Sequence, residues 1–210
     1  MSLFVILLGG DLTVAARLRA QIAGARIIAA DSGIRHAATL GLTPELWVGD
    51  MDSVDAAEAA RWRDVAIERH PADKDMTDGE LAAEAALARG ATALLLVGAF
   101  GGERADHAFL HMTSAIRLAE RGVAVRLSSG GEEGWPVLPG ETTGDLPPGS
   151  LFSLLPFTDL AGLSIDGAKW PLAGRDVPFG SSLTLSNVAT GPLRIRLAAG
   201  RALLVARIGL

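Results

Sequence analysis

The sequence contains no cysteine, which excludes a disulfide framework and any metal site built on thiolates. It also lacks an apolar run that approaches the roughly 20 residues needed to cross a bilayer. The first twelve residues, MSLFVILLGGDL, have neither the basic start nor the small-residue cleavage site of a signal peptide. These absences predict a cytoplasmic protein with no membrane partner.

Common phosphate-binding and metal-binding signatures are missing as well. There is no GxxxxGK[ST], so the chain is not a P-loop protein, and no GxGxxG follows the first strand. Neither HExxH nor a histidine pair at metal-ligand spacing is present. The formal charge of -5 argues against nucleic acid as a partner. Residues 1–140 hold 19 acidic and 13 basic side chains, so the acidic chemistry lies in the first two thirds.

The N-terminal part alternates short apolar runs with helical patterns, which predicts a mostly parallel sheet flanked by helices. The first helix is predicted over Asp11–Ala23, where Asp11 is interpreted as a capping or turn residue. The best-marked helix is predicted over Thr77–Arg89. Its amino end has Thr77 as the cap with Glu80 three residues later, and Gly90 ends it.

Glycine and proline become frequent near Ser128, and the pattern changes there. Only short strands at close spacing are predicted beyond that point, which is typical of an all-β sandwich or a small barrel. These strands are Leu151–Leu155, Leu160–Ile165, Ser182–Leu185, Leu193–Leu197 and Ala202–Ile208. We therefore predict an α/β domain over residues 1–130 and a smaller C-terminal all-β sandwich domain over residues 131–210.

Four acidic or glycine-rich clusters stand where a strand gives way to a loop or helix: DSG at 31–33, GDMDS at 49–53, DKDMTD at 73–78 and GAFGGERADH at 98–107. Loops at the carboxyl ends of parallel strands converge on one edge, so these clusters are expected to share a site. Gathered carboxylates require a cation, and Mg2+ bridges carboxylates to phosphates. Glycines admit a phosphate close to the backbone, and Lys74 and Arg104 add positive charge. The pattern predicts phosphoryl-type transfer.

The ordered set of clusters resembles the thiamine pyrophosphokinase family, and GAKWPL at 167–172 with TLSN at 184–187 is similar to that family's C-terminal signatures. The resemblance covers nearly the whole chain. It implies transfer of a pyrophosphoryl group from ATP to the thiamine hydroxyl, with attack on the β-phosphorus, giving thiamine diphosphate and AMP. It also implies a homodimer in which both subunits complete each thiamine site.

The resemblance assigns roles position by position, with a first domain that binds Mg-ATP and a second that binds thiamine and dimerises. The catalytic acidic residues would be Asp50, Asp52, Asp78 and Asp106, and the metal ligands among them Asp50, Asp52 and Asp78. The ATP-binding residues would be Asp31, Ser32, Gly33, Lys74, Asp75, Gly101, Gly102 and Arg104. The thiamine-binding residues would be Trp170, Ser186 and Asn187. A tryptophan face suits both the flat pyrimidine and the cationic thiazolium.

Two alternatives stay open at this point. The first is a related pyrophosphokinase that acts on another hydroxymethyl heterocycle, such as a pterin. The second is a non-catalytic nucleotide or thiamine sensor. No general base is evident: His107 is expected to support Asp106, and His36, His70 and His111 have no evident partners. The family commonly places arginine directly after the glycine pair, whereas here Glu103 stands between them.

Overall fold

A computed structural model describes residues 2–51, 56–70 and 75–208. The chain divides into two compact units. The first comprises Met1–Ser114 and Val123–Gly130, and the second comprises Ala115–Gly122 and Gly131–Leu210. Within the described ranges, no helix combines the length and the apolar character that a bilayer crossing demands.

The first unit is built on a parallel sheet. Its strands are β1 (Leu3–Leu7), β2 (Arg26–Ala30), β3 (Leu46–Gly49), β4 (Ala66–Arg69), β5 (Ala93–Val97) and β6 (Ala124–Ser128), in the spatial order β6-β5-β1-β2-β3-β4. The central strands are almost entirely apolar and buried, as expected of parallel strands covered on both faces. In the parallel register, Leu7 lies opposite both Ala29 and Val97. The three central strands therefore end at the same level.

Five helices accompany these strands: α1 (Ala16–Ile22), α2 (Ile34–Leu40), α3 (Ala56–Arg61), α4 (Asp78–Ala88) and α5 (Ala105–Glu120). A 3-10 turn, Asp31–Gly33, leads from β2 into α2. Apolar side chains of α1 and α2 pack with those of β1, β2 and β3 in one core around the fully buried Trp47. The apolar faces of α1 and α2 therefore attach these helices to the sheet.

Helix α1 begins later than the sequence predicts. The Asp11 amide donates a hydrogen bond to the Phe100 carbonyl at 2.8 Å, and the Thr13 amide donates to the Ser129 carbonyl at 2.7 Å. These bonds to loops that follow other strands hold residues 11–15 in an extended course. The predicted helix Asp11–Ala23 is therefore wrong over residues 11–15, since non-local hydrogen bonds replace the helical ones there.

The second unit is antiparallel. Its strands are β7 (Glu132–Val137), β8 (Gly140–Gly144), β9 (Leu151–Pro156), β10 (Leu160–Ala168), β11 (Leu172–Val177), β12 (Asn187–Leu197) and β13 (Ala202–Arg207). Strand β13 lies between β7 and β9, while β12 pairs with β9 at its start and with β8 and β10 further along. Alternate residues of these strands fill one shared core. The predicted fold class, a parallel α/β half followed by an antiparallel β half, is confirmed.

Two details of the second unit differ from the sequence prediction. Strands β7 and β8 lie within the segment rich in glycine and proline, where no strand is predicted. The predicted strand Ser182–Leu185 is instead a turn, closed by a 3.1 Å hydrogen bond from the Leu185 amide to the Ser182 carbonyl. Thr184 is buried and donates to the Leu154 carbonyl at 2.6 Å, which leaves Leu183 and Leu185 exposed. Alternating leucines there imitate a strand pattern without facing a core.

Gly33 is the point where the 3-10 turn packs against β1. A Cβ added at Gly33 would overlap the carbonyl group of Leu7, which is fixed in the central strand. We expect Gly33→Ala to lower the free energy of unfolding by about 1–3 kcal/mol, because the backbone has to move to admit one methyl group. Urea denaturation measures the loss. Gly131→Ala is the matched control, since a Cβ there meets open space, and an equal loss in both variants contradicts the packing argument.

Helix α4 starts with a reciprocal cap, as predicted. The Thr77 hydroxyl accepts the Glu80 amide at 3.4 Å, and the Thr77 amide donates to the Glu80 carboxylate at 3.1 Å. We expect Thr77→Ala to lower the free energy of unfolding by about 1 kcal/mol, because it removes an acceptor from the half-buried helix end. Thr77→Ser keeps the hydroxyl and should retain most of the stability. Equal thermal denaturation curves for the alanine variant and the unaltered protein would show that the cap contributes nothing.

Candidate active site

A cleft of about 830 Å³ lies at the carboxyl ends of the strands of the first unit. Its walls come from four strand-to-loop transitions and from the starts of α4 and α5. The lining comprises residues 8–11 after β1, Ala30, Asp31, Ser32 and Arg35 after β2, Asp50 after β3, residues 75–80 at α4, and Gly101, Gly102, Glu103, Arg104, His107 and His111 after β5. The carboxyl edge of a parallel sheet is where ligands of such folds bind.

Main-chain hydrogen bonds carry the pairing of β1 and β5 beyond the strands. The Leu8 amide donates to the Val97 carbonyl at 2.7 Å, and the Gly10 amide donates to the Gly98 carbonyl at 2.9 Å. A Cβ on Gly10 would stand 2.5 Å from the Gly98 oxygen, so the two loops approach this closely only with glycine at that position. The floor of the cleft is therefore closely packed backbone at this point.

Most of the sequence-predicted nucleotide and metal residues lie together in this cleft. The structure places eight of them in its lining: Asp31, Ser32, Asp50, Asp75, Asp78, Gly101, Gly102 and Arg104. Gly33 is buried behind the wall, where it packs on β1. Asp52 and Lys74 lie outside the described residues.

Asp31 has a backbone conformation that few residues other than glycine adopt, with φ at +44°. Its carbonyl accepts a 3.0 Å hydrogen bond from the Trp47 indole, which anchors the turn to the core. One carboxylate oxygen, Oδ1, is buried and has no hydrogen-bond partner within the described ranges. An unsatisfied buried carboxylate oxygen is costly, and strained residues of this kind concentrate at binding sites.

Arg104 and Asp106 form a two-pronged ion pair at the start of α5. The guanidinium Nε lies 2.9 Å from Oδ1 and a terminal nitrogen lies 2.5 Å from Oδ2. Hydrogen bonding from Arg104 lowers the pKa of Asp106 to about 2, and the same contact raises the pKa of Arg104. Both side chains are exposed, and Asp106 is not part of the cleft lining among the described residues. In this arrangement the carboxylate of Asp106 is the ion-pair partner of Arg104.

Asp11, Arg35 and His111 are among the cleft residues that the sequence did not assign to the site. Asp11 follows β1 as the predicted residues follow β2, β3 and β5, so the strand-end rule applied to Gly9-Gly10-Asp11 identifies it. Arg35 donates to the Gly9 carbonyl, a contact that no local pattern reveals.

Two histidines without evident partners in the sequence support the same loops. His36 is buried, with Nε2 at 2.9 Å from the Gly10 carbonyl, and His111 holds Nδ1 at 3.2 Å from the Ala99 carbonyl. Burial lowers the pKa of both rings, so both are neutral at physiological pH. Because a carbonyl only accepts, Nδ1 of His111 carries the proton and Nε2 is an acceptor. The third, His70, pairs with Glu68 at 3.0 Å.

The donor set of the cleft suits a hard cation. Its ionisable ligands are mainly carboxylates, and Mg2+ is commonly held by one or two carboxylates together with substrate phosphates and water. Within the described residues no three histidine, aspartate or glutamate side chains are grouped closely enough to hold a metal ion by themselves. A cation bound by these residues would therefore need further oxygen ligands from a substrate phosphate or from water.

The predicted thiamine residues adjoin one another in the second unit. Trp170 is 54% exposed, whereas Asn187 is buried. The Asn187 Oδ1 accepts the Trp170 amide at 3.1 Å, and its Nδ2 donates to the Trp170 carbonyl at 2.8 Å. Ser186 has φ at +57°, and its amide donates to the Ser153 hydroxyl at 3.0 Å. The amide group of Asn187 thus holds the backbone of Trp170.

Comparison with known protein families gives two matches in chain order. Residues 22–127 match the family model described as thiamin pyrophosphokinase, catalytic domain. Residues 143–200 match the model described as thiamin pyrophosphokinase, vitamin B1 binding domain. A curated thiamine pyrophosphokinase from Bacillus subtilis is 29% identical over 164 residues, which cover 76% of each chain.

Solved structures share the fold over the whole chain. A thiamine pyrophosphokinase from Bacillus subtilis superposes with a TM-score of 0.88 at 24% identity, covering 100% of both chains. A thiamin pyrophosphokinase from Candida albicans superposes with a TM-score of 0.80 at 14% identity, covering 99% of this chain and 90% of the other. The catalytic-domain match spans half of the sequence and the cleft lies largely within it, so the chain belongs to the thiamine pyrophosphokinase family.

Proposed function

We propose that this thiamine pyrophosphokinase binds ATP as its Mg2+ complex in the cleft of the first unit and transfers the terminal pyrophosphoryl group to thiamine. The products are thiamine diphosphate and AMP. The observation that supports this most is the collection of carboxylates and close-packed glycine backbone in one cleft, at the carboxyl edge of the parallel sheet. The vitamin B1 binding match favours thiamine over another hydroxymethyl heterocycle as the acceptor.

The phosphates of ATP bind where backbone and positive charge meet. The loop containing Gly101 and Gly102 follows β5, and both residues have positive φ and line the cleft. Backbone amides of such glycine loops are common phosphate ligands. Arg104 adds a guanidinium able to contact two phosphate oxygens at once. The ribose and base extend along Asp31, Ser32 and Asp75, which line the cleft and which the resemblance assigns to the nucleotide.

Asp50, Asp52 and Asp78 hold the magnesium ion in this proposal. When bound, the ion neutralises the phosphate oxygens and stabilises the charge that builds up on the departing AMP. The free Oδ1 of Asp31 provides a further oxygen at the same wall. Without a cation, so many carboxylates in one cleft would repel both each other and ATP.

The reaction is an in-line displacement at phosphorus. The thiamine hydroxyl oxygen forms a bond to the β-phosphorus, and the bond from that phosphorus to the oxygen bridging the α-phosphate breaks. AMP leaves with the bridging oxygen, and the hydroxyl proton passes to a carboxylate of the cleft or to water. Positioning and charge neutralisation account for most of the catalysis in such transfers. Before ATP binds, Asp106 holds Arg104 at the cleft.

Thiamine binds on the second unit through Trp170, Ser186 and Asn187. The exposed indole gives a flat surface for the two rings, and Asn187 contributes by fixing the backbone that carries it. Phe179, Leu183 and Leu185 are also exposed on this unit, which supports a homodimer whose partner covers them. The co-substrate ATP makes the cytoplasm the expected compartment.

The decisive experiment separates the products of the protein incubated with Mg-ATP, with and without thiamine. We expect equal amounts of AMP and thiamine diphosphate, formed only when thiamine is present. Asp50→Asn removes one carboxylate charge at constant shape, and kcat/KM should fall roughly 100-fold. The matched control is Asp64→Asn, which changes an aspartate that is 93% exposed and away from the cleft lining.

Three results would contradict this proposal. ADP with thiamine monophosphate would indicate attack on the γ-phosphorus. Thiamine binding without any product would indicate a sensor. Equal activities for Asp50→Asn and Asp64→Asn would remove the cleft carboxylate from the mechanism.

Arg104 is expected to exchange Asp106 for a phosphate when ATP binds. Arg104→Ala should therefore raise the KM for ATP about tenfold, because a hydrogen-bonded charge pair with phosphate is lost. The same change should raise the pKa of Asp106 from about 2 toward the usual aspartate value, as followed by NMR titration. Asp106 stays ionised at pH 7 in both proteins. The stabilisation by the pair is present above the usual aspartate pKa and is lost as the pH falls toward 2.

Arg104→Lys is the control for charge alone. Lysine keeps the positive charge but not the two-pronged geometry, so the KM for ATP should lie between the other two values. An unchanged KM in Arg104→Ala, together with a raised pKa of Asp106, would show that the ion pair is structural and does not take part in binding phosphate.

A further inference from the structure

The exposed face of Trp170 already carries a cation from its own chain. The ammonium nitrogen of Lys169 lies 4.6 Å from the centroid of the Trp170 ring, well within the range of a cation–π contact. Within the described ranges no carboxylate pairs with this ammonium. An ammonium held only by an exposed ring can be displaced at low cost.

The base of the ring is held far more firmly than its face. Both backbone hydrogen-bonding groups of Trp170 are bound by the buried side chain of Asn187, at 3.1 and 2.8 Å. The preceding amide, that of Lys169, donates to the Val188 carbonyl at 2.8 Å. These bonds fix where the ring starts, and the four-carbon stem of Lys169 remains the adjustable part.

We propose that Lys169 is an internal competitor that occupies the thiamine-binding face of Trp170 and is replaced there by the thiazolium ring. The inference rests on the proposed function, which assigns Trp170 to thiamine. Thiazolium and ammonium are both cations, so they use the same attraction to the indole face and cannot share it. The displaced ammonium stays nearby on its stem, so it returns to the ring when the thiazolium leaves.

This competition lowers the affinity for both the substrate thiamine and the product thiamine diphosphate. Thiamine and thiamine diphosphate carry the same thiazolium, so the returning ammonium opposes both to a similar extent. Lys169 therefore weakens substrate binding and shortens the residence of product on the same face. It does not touch the reacting phosphorus, so the rate of the chemical step is independent of it.

Lys169→Ala tests the proposal by clearing the ring face. We expect the KM for thiamine at saturating Mg-ATP to fall about two- to fivefold, the value of one exposed cation–π contact. The inhibition constant for thiamine diphosphate should fall by a similar factor. Lys169→Arg retains a cation able to stack on indole, so its KM should equal or exceed that of the unaltered protein.

A double variant locates the effect on the ring. In a Trp170→Leu background, Lys169→Ala should no longer lower the KM for thiamine, because the competing contact is already gone. A KM that is unchanged or raised by Lys169→Ala alone would overturn the proposal, as would a gain that persists in the leucine background.

Direct binding separates this inference from the proposed function. Thiamine titrated without ATP should quench tryptophan fluorescence, with tighter binding in Lys169→Ala and loss of the saturable signal in Trp170→Leu. Absence of AMP formation by the unaltered protein would defeat the proposed function, yet these titrations would still decide the role of Lys169. Equal thiamine affinities for the unaltered protein and Lys169→Ala would overturn the role of Lys169 even in an active enzyme.

Discussion

The parallel register of β1 with β2 and β5 is the constraint on which the cleft depends. Leu7 stands opposite Ala29 and Val97, so the loops that begin after these residues leave the sheet at one level. The strands are apolar and buried, and a shift in their register would expose main-chain groups that the ladder now satisfies. Burial of the central strands keeps their carboxyl ends aligned, and this alignment brings together carboxylates from distant parts of the sequence.

Glycine residues allow the segments that leave the sheet at this level to approach one another closely. At Gly10 and Gly33 a side chain would meet carbonyl groups of neighbouring segments, so both positions accept only the smallest residue. The outcome is a cleft with a backbone floor and carboxylate walls. Backbone amides favour an anion and carboxylates favour a cation, so this surface complements an anion that is accompanied by a cation.

Several side chains assigned to ligands are engaged with other side chains or with backbone. Arg104 is paired with Asp106, Asn187 holds Trp170, and Lys169 covers the indole face. In the functions proposed for these residues, binding is an exchange of partners, and its free energy is the difference between two contacts of similar kind. Such exchanges give modest affinity and ready release, which suit an enzyme that must also let its product go.

The sequence by itself determined the class of fold, the strand-end clusters and the cap at Thr77, because burial periodicity and capping are local properties of a chain. Only the tertiary structure decided that residues 11–15 are extended, that Asp11 joins the cleft and that Asp106 pairs with Arg104 at its rim. It also turned the leucines of the predicted strand Ser182–Leu185 outward. Most of these outcomes depend on a contact with a carbonyl or side chain that is distant in sequence. Such contacts are set by the packing of separate segments, which local sequence patterns do not reveal.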